Sequence, residues 1–251
     1  MKKYRFDSIE VHQHPTRALM GSAAADGVAE IVRDATAARG EARVVFACAP
    51  SQDDFLDALV WHEIDWTKVV VFHMDEYAGL DAKHPQSFRR YLHKHLLSRI
   101  GSVKAFHPIE AQRAPDRECA RYAALLAEKP IDLVCLGIGE NGHIAFNDPP
   151  VADFKDPLRV KLVTLDPKCR QQQVNDGCFP SLAEVPEQAI TLTVPALFGA
   201  RAISCVVPGP RKAAAVRSTL LGRIWKACPA SILRRHPRTV LHIDDAAAAK
   251  L

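Results

Sequence analysis

The 251-residue sequence predicts an α/β fold: a largely parallel sheet covered by helices on both faces, in a single domain over residues 1–251. Two observations carry this. Runs such as "KVVVF", "IDLVCL" and "AISCVV" are apolar at every position rather than at alternate ones, as in strands buried on both faces. Stretches of helical spacing separate these runs, which is the order expected of parallel strands joined by crossover helices. Hydrophobic residues make up 48% of the chain, enough for a full core, and no repeat, low-complexity tract or linker divides it.

The first helix is expected over residues 16–39. There Leu19, Ala23, Val28, Ile31 and Val32 recur at roughly helical spacing, and Gly40 provides the stop. "ARVVFACAP" follows as a strand, and "SQDDFLDALVWHE" as a helix opened by a serine cap and first-turn acids. The pattern repeats with "KVVVFHM" and the helical "SFRRYLHKHLLSRI", and "IDLVCLG" begins it again, with "EAQRAPDRECA" as a polar connection. "LRVKLVTL", "AITLTV", "AISCVV" and "RTVLHID" complete the strands, and the helical "PRKAAAVRSTLLG" lies between the last two.

Lys and Arg total 33 against 29 Asp and Glu, a net charge of +4 that is scattered rather than gathered into a basic stripe. That argues against nucleic acid and suits a small anionic substrate. The 7 cysteines are odd in number and contain no C-x-x-C pair, so reduced thiols are expected rather than a disulfide framework or zinc ribbon. His93 and His95, two apart on a helix, share no face and make a poor metal pair. No metal and no cofactor is expected. The charged N-terminus is followed by no apolar h-region and no stretch is long enough to span a bilayer, so a cytoplasmic protein without a membrane partner is expected.

In parallel sheets ligands gather at the carboxyl ends of the strands. Three such ends carry unusual polar loads, "HMDEYAGLDAKHPQSF", "GIGENGHIAFNDPP" and "PGPRK", and the fold would bring them to one face. In the first, Asp75 and Glu76 should point in opposite directions, so at most one faces the site. A shielded carboxylate there could serve as a proton-transfer base with a raised pKa. In the second, Gly137, Gly139 and Gly142 permit inward-pointing backbone N–H groups, with His143, Asn141 and Asp148 close by. In the third, Lys212 in a first helical turn opposes the macrodipole unless an anion compensates it. Arg170 is a second candidate cation.

"VVVFHMDEYAGL" with "HPQSF", "LGIGENGHIAFNDP", "GPRKAAAV" and "ILRRHPRTVLHIDDAA" resemble, in order and spacing, the glucosamine-6-phosphate deaminase (isomerase) family. That family is grouped with the 6-phosphogluconolactonases in a Rossmann-like sugar-phosphate group. The resemblance covers nearly the whole chain. It implies a cofactor-free aldose–ketose isomerisation with loss of ammonia, from glucosamine 6-phosphate to fructose 6-phosphate. Asp75 matches the family's carboxylate that moves a proton between C2 and C1, His143 its ring-opening histidine and Lys212 its phosphate-binding lysine. Arg170 lies near its phosphate-binding arginine. The expected site is therefore Asp75, His143 and Asp148 for chemistry, with Ser51, Glu76, Gly139, Asn141, Gly142, Arg170 and Lys212 holding a phosphosugar. Family members range from monomers to hexamers, so the resemblance is compatible with a homo-oligomer.

Asn141 stands where the deaminase pattern has Asp, and Asp148 where it has Glu. The amide is expected to orient the imidazole without supplying charge, which leaves the task to Asp148, one methylene shorter. "ACAPSQ" replaces a Gly/Thr/Ser-rich phosphate loop, and Pro50 has no N–H to donate. Three readings follow: a deaminase/isomerase, a 6-phosphogluconolactonase-like hydrolase in which His143 activates water, and a non-catalytic sugar-phosphate-binding protein.

Overall fold

The computed structural model describes residues 1–251. The chain runs β1 (Lys2–Phe6), β2 (Ile9–His14), α1 (Arg17–Arg39), β3 (Ala42–Phe46), α2 (Asp53–Leu59), β4 (Val69–His73), β5 (Asp75–Tyr77), α3 (Phe88–Leu92), β6 (Ala105–His107) and α4 (Pro115–Ala127). It continues with β7 (Leu133–Leu136), β8 (Val160–Thr164), α5 (Pro167–Asn175), β9 (Gln188–Leu192), α6 (Val194–Phe198), β10 (Ala202–Val207), α7 (Ala213–Leu221) and β11 (Thr239–Asp244).

Eight strands form one sheet in the order β1-β2-β11-β10-β7-β3-β4-β6, parallel throughout except for the antiparallel β1–β2 edge. The unbroken apolar runs are explained by what lies above and below. Val44, Phe46, Val69 and Val71 enter a core beneath α1 and α2, while Val45, Val70 and Phe72 enter the opposite core with Tyr122 and Leu126 of α4 and Val216 of α7. Every residue of β3, β4 and β7 is buried, and each such Val, Leu or Phe contributes about 1.5–3 kcal/mol of transfer free energy.

α1 occupies the expected span. The Thr16 hydroxyl accepts from the Leu19 N–H (3.2 Å), and Gly40 ends the helix at φ 74°. Its buried stripe is Met20, Ala24, Val28 and Val32 rather than one through Leu19, which is 54% exposed. Gly21 lets α1 close on α2: a Cβ there would lie 2.7 Å from the Asp54 carbonyl carbon.

Three elements differ from expectation. "LRVKLVTL" and "AITLTV" do form strands, but β8 and β9 join β5 in a separate three-stranded antiparallel sheet, order β5-β9-β8. That sheet packs on its own cluster of Tyr77, Phe146, Val163, Leu165, Phe179 and Ala189. "EAQRAPDRECA" is no mere connection: Pro115, favoured at a first helical position, opens α4. The N-terminal hairpin, unassigned from the sequence, alternates Ile9 and Val11 into the core with exposed Glu10 and forms the sheet edge.

Candidate active site

The loops after β3, β4, β7 and β10 converge at the carboxyl ends of the parallel strands, as the strand-end clusters predict. They enclose an open cleft of about 510 Å³ lined by Cys48, Ser51, Asp75, Gly139, His143, Gln172, Gln173 and Lys212, among others.

Asp75 begins β5 one residue after β4, and its carboxylate has no hydrogen-bond partner within the chain although it is 6% exposed. Burial, reinforced by the neighbouring Glu76 charge, pushes its pKa well above the usual carboxylate range. Beneath it His73 is locked at both ring nitrogens. Nδ1–H donates to the Asp75 carbonyl (2.9 Å) and Nε2 accepts from the Ile109 N–H (2.8 Å). The Leu192 N–H donates to the Met74 carbonyl (2.8 Å), so the second sheet holds the same corner from the other side.

Glu76 points away, as strand alternation requires. Its carboxylate accepts from the N–H groups of Tyr77, Phe88 and Arg89 and from the Ser87 hydroxyl, closing the N-terminus of α3. It lines a separate cavity with Ser87 and Arg89, so the expectation that Glu76 contacts substrate is corrected: the residue is a helix cap.

The glycine-rich loop builds the histidine. His143 Nδ1 lies 2.7 Å from Asn141 Oδ1 and 3.0 Å from Asp148 Oδ1, while the Asn141 amide donates to that same carboxylate oxygen (2.9 Å). Two acceptors at Nδ1 place the hydrogen there, leaving Nε2 with no partner in the chain. Asp148 is fully buried; burial by itself would raise its pKa, but the hydrogen bonds from His143, Asn141 and the Asp166 N–H outweigh it and hold the group below the ordinary range. Asp148, although one methylene shorter than a glutamate, reaches the imidazole.

Gly139 backs the ring: a Cβ there would sit 2.1 Å from His143 Cε1, so only glycine leaves room. Gly142 takes φ +84° where the loop turns against Cys228. Asn141, Gly142 and Asp148 do not line the cleft themselves; Asn141 and Asp148 hold His143 through hydrogen bonds, and Gly142 shapes the loop that carries it.

At the cleft's other end, Ser51 sits in a 3₁₀ turn over Pro50–Gln52 and caps no helix. The Gln52 amide donates to Ser51 Oγ (3.1 Å) and to the Val206 carbonyl (3.3 Å), which leaves the Ser51 hydroxyl hydrogen free to donate into the cleft. Lys212 closes the 3₁₀ turn Pro210–Lys212 before α7; it is 7% exposed, and its ammonium has no ion-pair or hydrogen-bond partner. Its pKa is depressed by burial, against the pull of Asp176 and Glu140.

Arg170 is not in the cleft. Its guanidinium donates to the carbonyls of Leu182 and Val185 (both 2.7 Å), tying α5 to the following loop, so the expected substrate-binding role is corrected. The same helix instead presents Gln172 and Gln173. The Gln172 carbonyl accepts from the Glu140 N–H (2.8 Å), while the Gln173 side chain has no partner. Neither glutamine was singled out by the sequence, since only the helix's orientation decides which of "RQQQ" faces inward.

Fold and cleft define an α/β protein with a buried carboxylate, an oriented imidazole and a single ammonium on one face. The family model for glucosamine-6-phosphate isomerases/6-phosphogluconolactonase matches residues 15–241, and the chain belongs to that family. It is 35% identical over 193 residues to the glucosamine-6-phosphate deaminase of Listeria welshimeri, covering 77% of this chain and 80% of that one. It is 34% identical over 214 residues to the Streptococcus sanguinis enzyme of the same name, covering 85% and 89%. Among solved structures it resembles a monomeric glucosamine-6-phosphate deaminase with a TM-score of 0.88 at 28% identity, over 96% of this chain and 99% of the other. A putative 6-phosphogluconolactonase from Neisseria gonorrhoeae shares the fold at a TM-score of 0.76 and 18% identity, over 94% and 99%. No helix is long and apolar enough to cross a membrane.

Proposed function

We propose that the chain converts glucosamine 6-phosphate and water to fructose 6-phosphate and ammonia. The observation that carries this is the pairing, in one cleft, of a buried carboxylate without a hydrogen-bond partner and a histidine held by a buried acid. His143 Nε2 takes the proton of the anomeric hydroxyl, and the resulting imidazolium, stabilised by Asp148, returns it to the ring oxygen, which opens the ring. Asp75 then removes the C2 proton while the C1 carbonyl oxygen takes a proton from the C2 ammonium, giving an enolamine, and Asp75 delivers its proton to C1, giving an iminium at C2 beside a C1 hydroxyl. Water hydrolyses that iminium, ammonia leaves and the ketose remains. A carboxylate with a raised pKa is the stronger base for the C2 proton, and burial supplies that rise.

Lys212, the Ser51 hydroxyl and the Gln173 amide would hold the phosphate. The lactonase reading would use His143 alone on water and give the partner-free Asp75 no task. The deciding experiment incubates purified protein with glucosamine 6-phosphate and measures ammonia and fructose 6-phosphate, with His143→Ala as control. Both products from wild type alone support the reading. Binding of the sugar phosphate without ammonia release by wild type would sink it in favour of the non-catalytic alternative.

A further inference from the structure

His12 and His14 stand on the same face of β2, and His242 on β11 is in register with His12. The strand order sets the three on the far side of β10 from β7, β3 and β4, and none of them lines the cleft. One donor atom from each imidazole comes together with the others within 4.8 Å. The His14 and His242 rings stack at 5.8 Å and 22°, and the His12 ring meets His242 edge-on at 5.1 Å.

His14 is 3% exposed and His242 4%, yet His14 Nε2 and His242 Nδ1 have no hydrogen-bond partner. Buried polar atoms are nearly always paired, so two orphaned imidazole nitrogens in one place require an explanation. We propose that His12, His14 and His242 form a three-imidazole site for a borderline divalent transition-metal ion of the Zn²⁺ class, clamping the N-terminal hairpin to β11.

The chemistry of the donors fits. Imidazole is a preferred ligand of Zn²⁺, Ni²⁺ and Cu²⁺, and three such ligands leave a fourth position for water. A metal needs the neutral ring. His14 Nε2 and His242 Nδ1, buried and without a hydrogen-bond partner, are the lone pairs free for an ion. His12, on the more open side, has its Nε2 2.5 Å from Glu10 Oε1, the carboxylate–histidine arrangement that orients a metal ligand from behind. Lys3 is the nearby cation, and it pairs with the same Glu10 (3.5 Å). Tetrahedral coordination at Zn–N of about 2.0–2.1 Å needs donor atoms about 3.3 Å apart, so binding an ion would draw the three rings closer than the 4.8 Å of the structure.

The test uses the full chain without a histidine tag, stripped with a chelator and titrated calorimetrically with Zn²⁺ alone, with Co²⁺ as an optical probe. The expected result is one equivalent bound per chain, visible absorption of tetrahedral intensity from Co²⁺, and a rise in melting temperature with Zn²⁺. Glu10→Gln should weaken binding about tenfold, and His14→Gln and His242→Gln by about 100-fold or more, each with an unchanged circular dichroism spectrum. His62→Gln, on a distant loop, should change nothing. The proposal is overturned if wild type takes up no stoichiometric Zn²⁺ at micromolar concentration. It is equally overturned if binding survives in His14→Gln and His242→Gln but disappears in His143→Ala, which would put the ion at the cleft cluster of His143, Asp148 and Cys169.

Discussion

His143 Nδ1 and Asp148 Oδ1 lie 3.0 Å apart, and Asn141 bonds to both partners, so a single buried carboxylate holds the imidazole of the cleft. Without it the Nδ1–H faces only an amide oxygen, which orients a ring but cannot stabilise its protonated form. Asp148→Asn should lower kcat by about 10²–10⁴-fold, the range seen when the acid behind a catalytic histidine is lost or a general acid-base removed. Asn141→Asp places a carboxylate 2.7 Å from the same nitrogen, so the double variant Asn141→Asp/Asp148→Asn should recover part of the rate. Steady-state kinetics of the four proteins provide the check; no recovery in the double variant would show that position, and not charge alone, matters.

Asp75→Asn should abolish isomerisation while leaving sugar-phosphate affinity nearly intact, since a general base contributes to the transition state more than to binding. Because burial raises the folded pKa of Asp75, the active carboxylate form is lost as pH falls through that raised value. The acidic limb of kcat/KM in wild type should therefore lie above the ordinary carboxylate range. A pH profile of kcat/KM tests this, and full activity in Asp75→Asn would remove the residue from the role.

Lys212 is the cleft's single ammonium, and Gln173, which also lines it, has an unbonded amide. Lys212→Ala should raise KM for a phosphosugar with less effect on kcat. Gln173→Arg adds a second cation and should lower KM by about tenfold, the scale of one charge-assisted hydrogen bond. An unchanged KM in both variants would place the phosphate elsewhere.

His73 beneath Asp75 is pushed by burial from 6.5 down to about 4. Its folded pKa is below the unfolded one, so between about pH 6.5 and about pH 4 the unfolded chain binds the extra proton. The sign follows: stability is complete above the upper value and falls with pH through the window, by about 3 kcal/mol for this one group. Replacing it with glutamine, which can keep one donor and one acceptor, should flatten that part of the slope. Urea denaturation of wild type and His73→Gln at several pH values gives the difference; parallel curves would mean the imidazole titrates as freely folded as unfolded.

The largely parallel sheet was legible because strands covered on both faces must be apolar at every position, and that pattern is local. The end of α1 was legible for the same kind of reason, a left-handed residue that favours glycine. The separate sheet of β5, β8 and β9 was not, since a strand's own residues do not state which partner satisfies its backbone. The start of α4 was obscured because its amphipathic face begins inside a polar segment.

Within the cleft, the sequence by itself determined which chemical groups stand at the strand ends: a carboxylate after β4, a glycine-rich loop with a histidine after β7, a lysine after β10. Only the tertiary structure decided which of these face one another. It turned Glu76 onto a helix end, drew Arg170 to two backbone carbonyls, brought Gln173 inward and set Asp148 against His143. Side-chain direction depends on strand pairing and helix rotation, which are fixed by burial of the whole core, so residues adjacent in sequence come to serve different parts of the molecule.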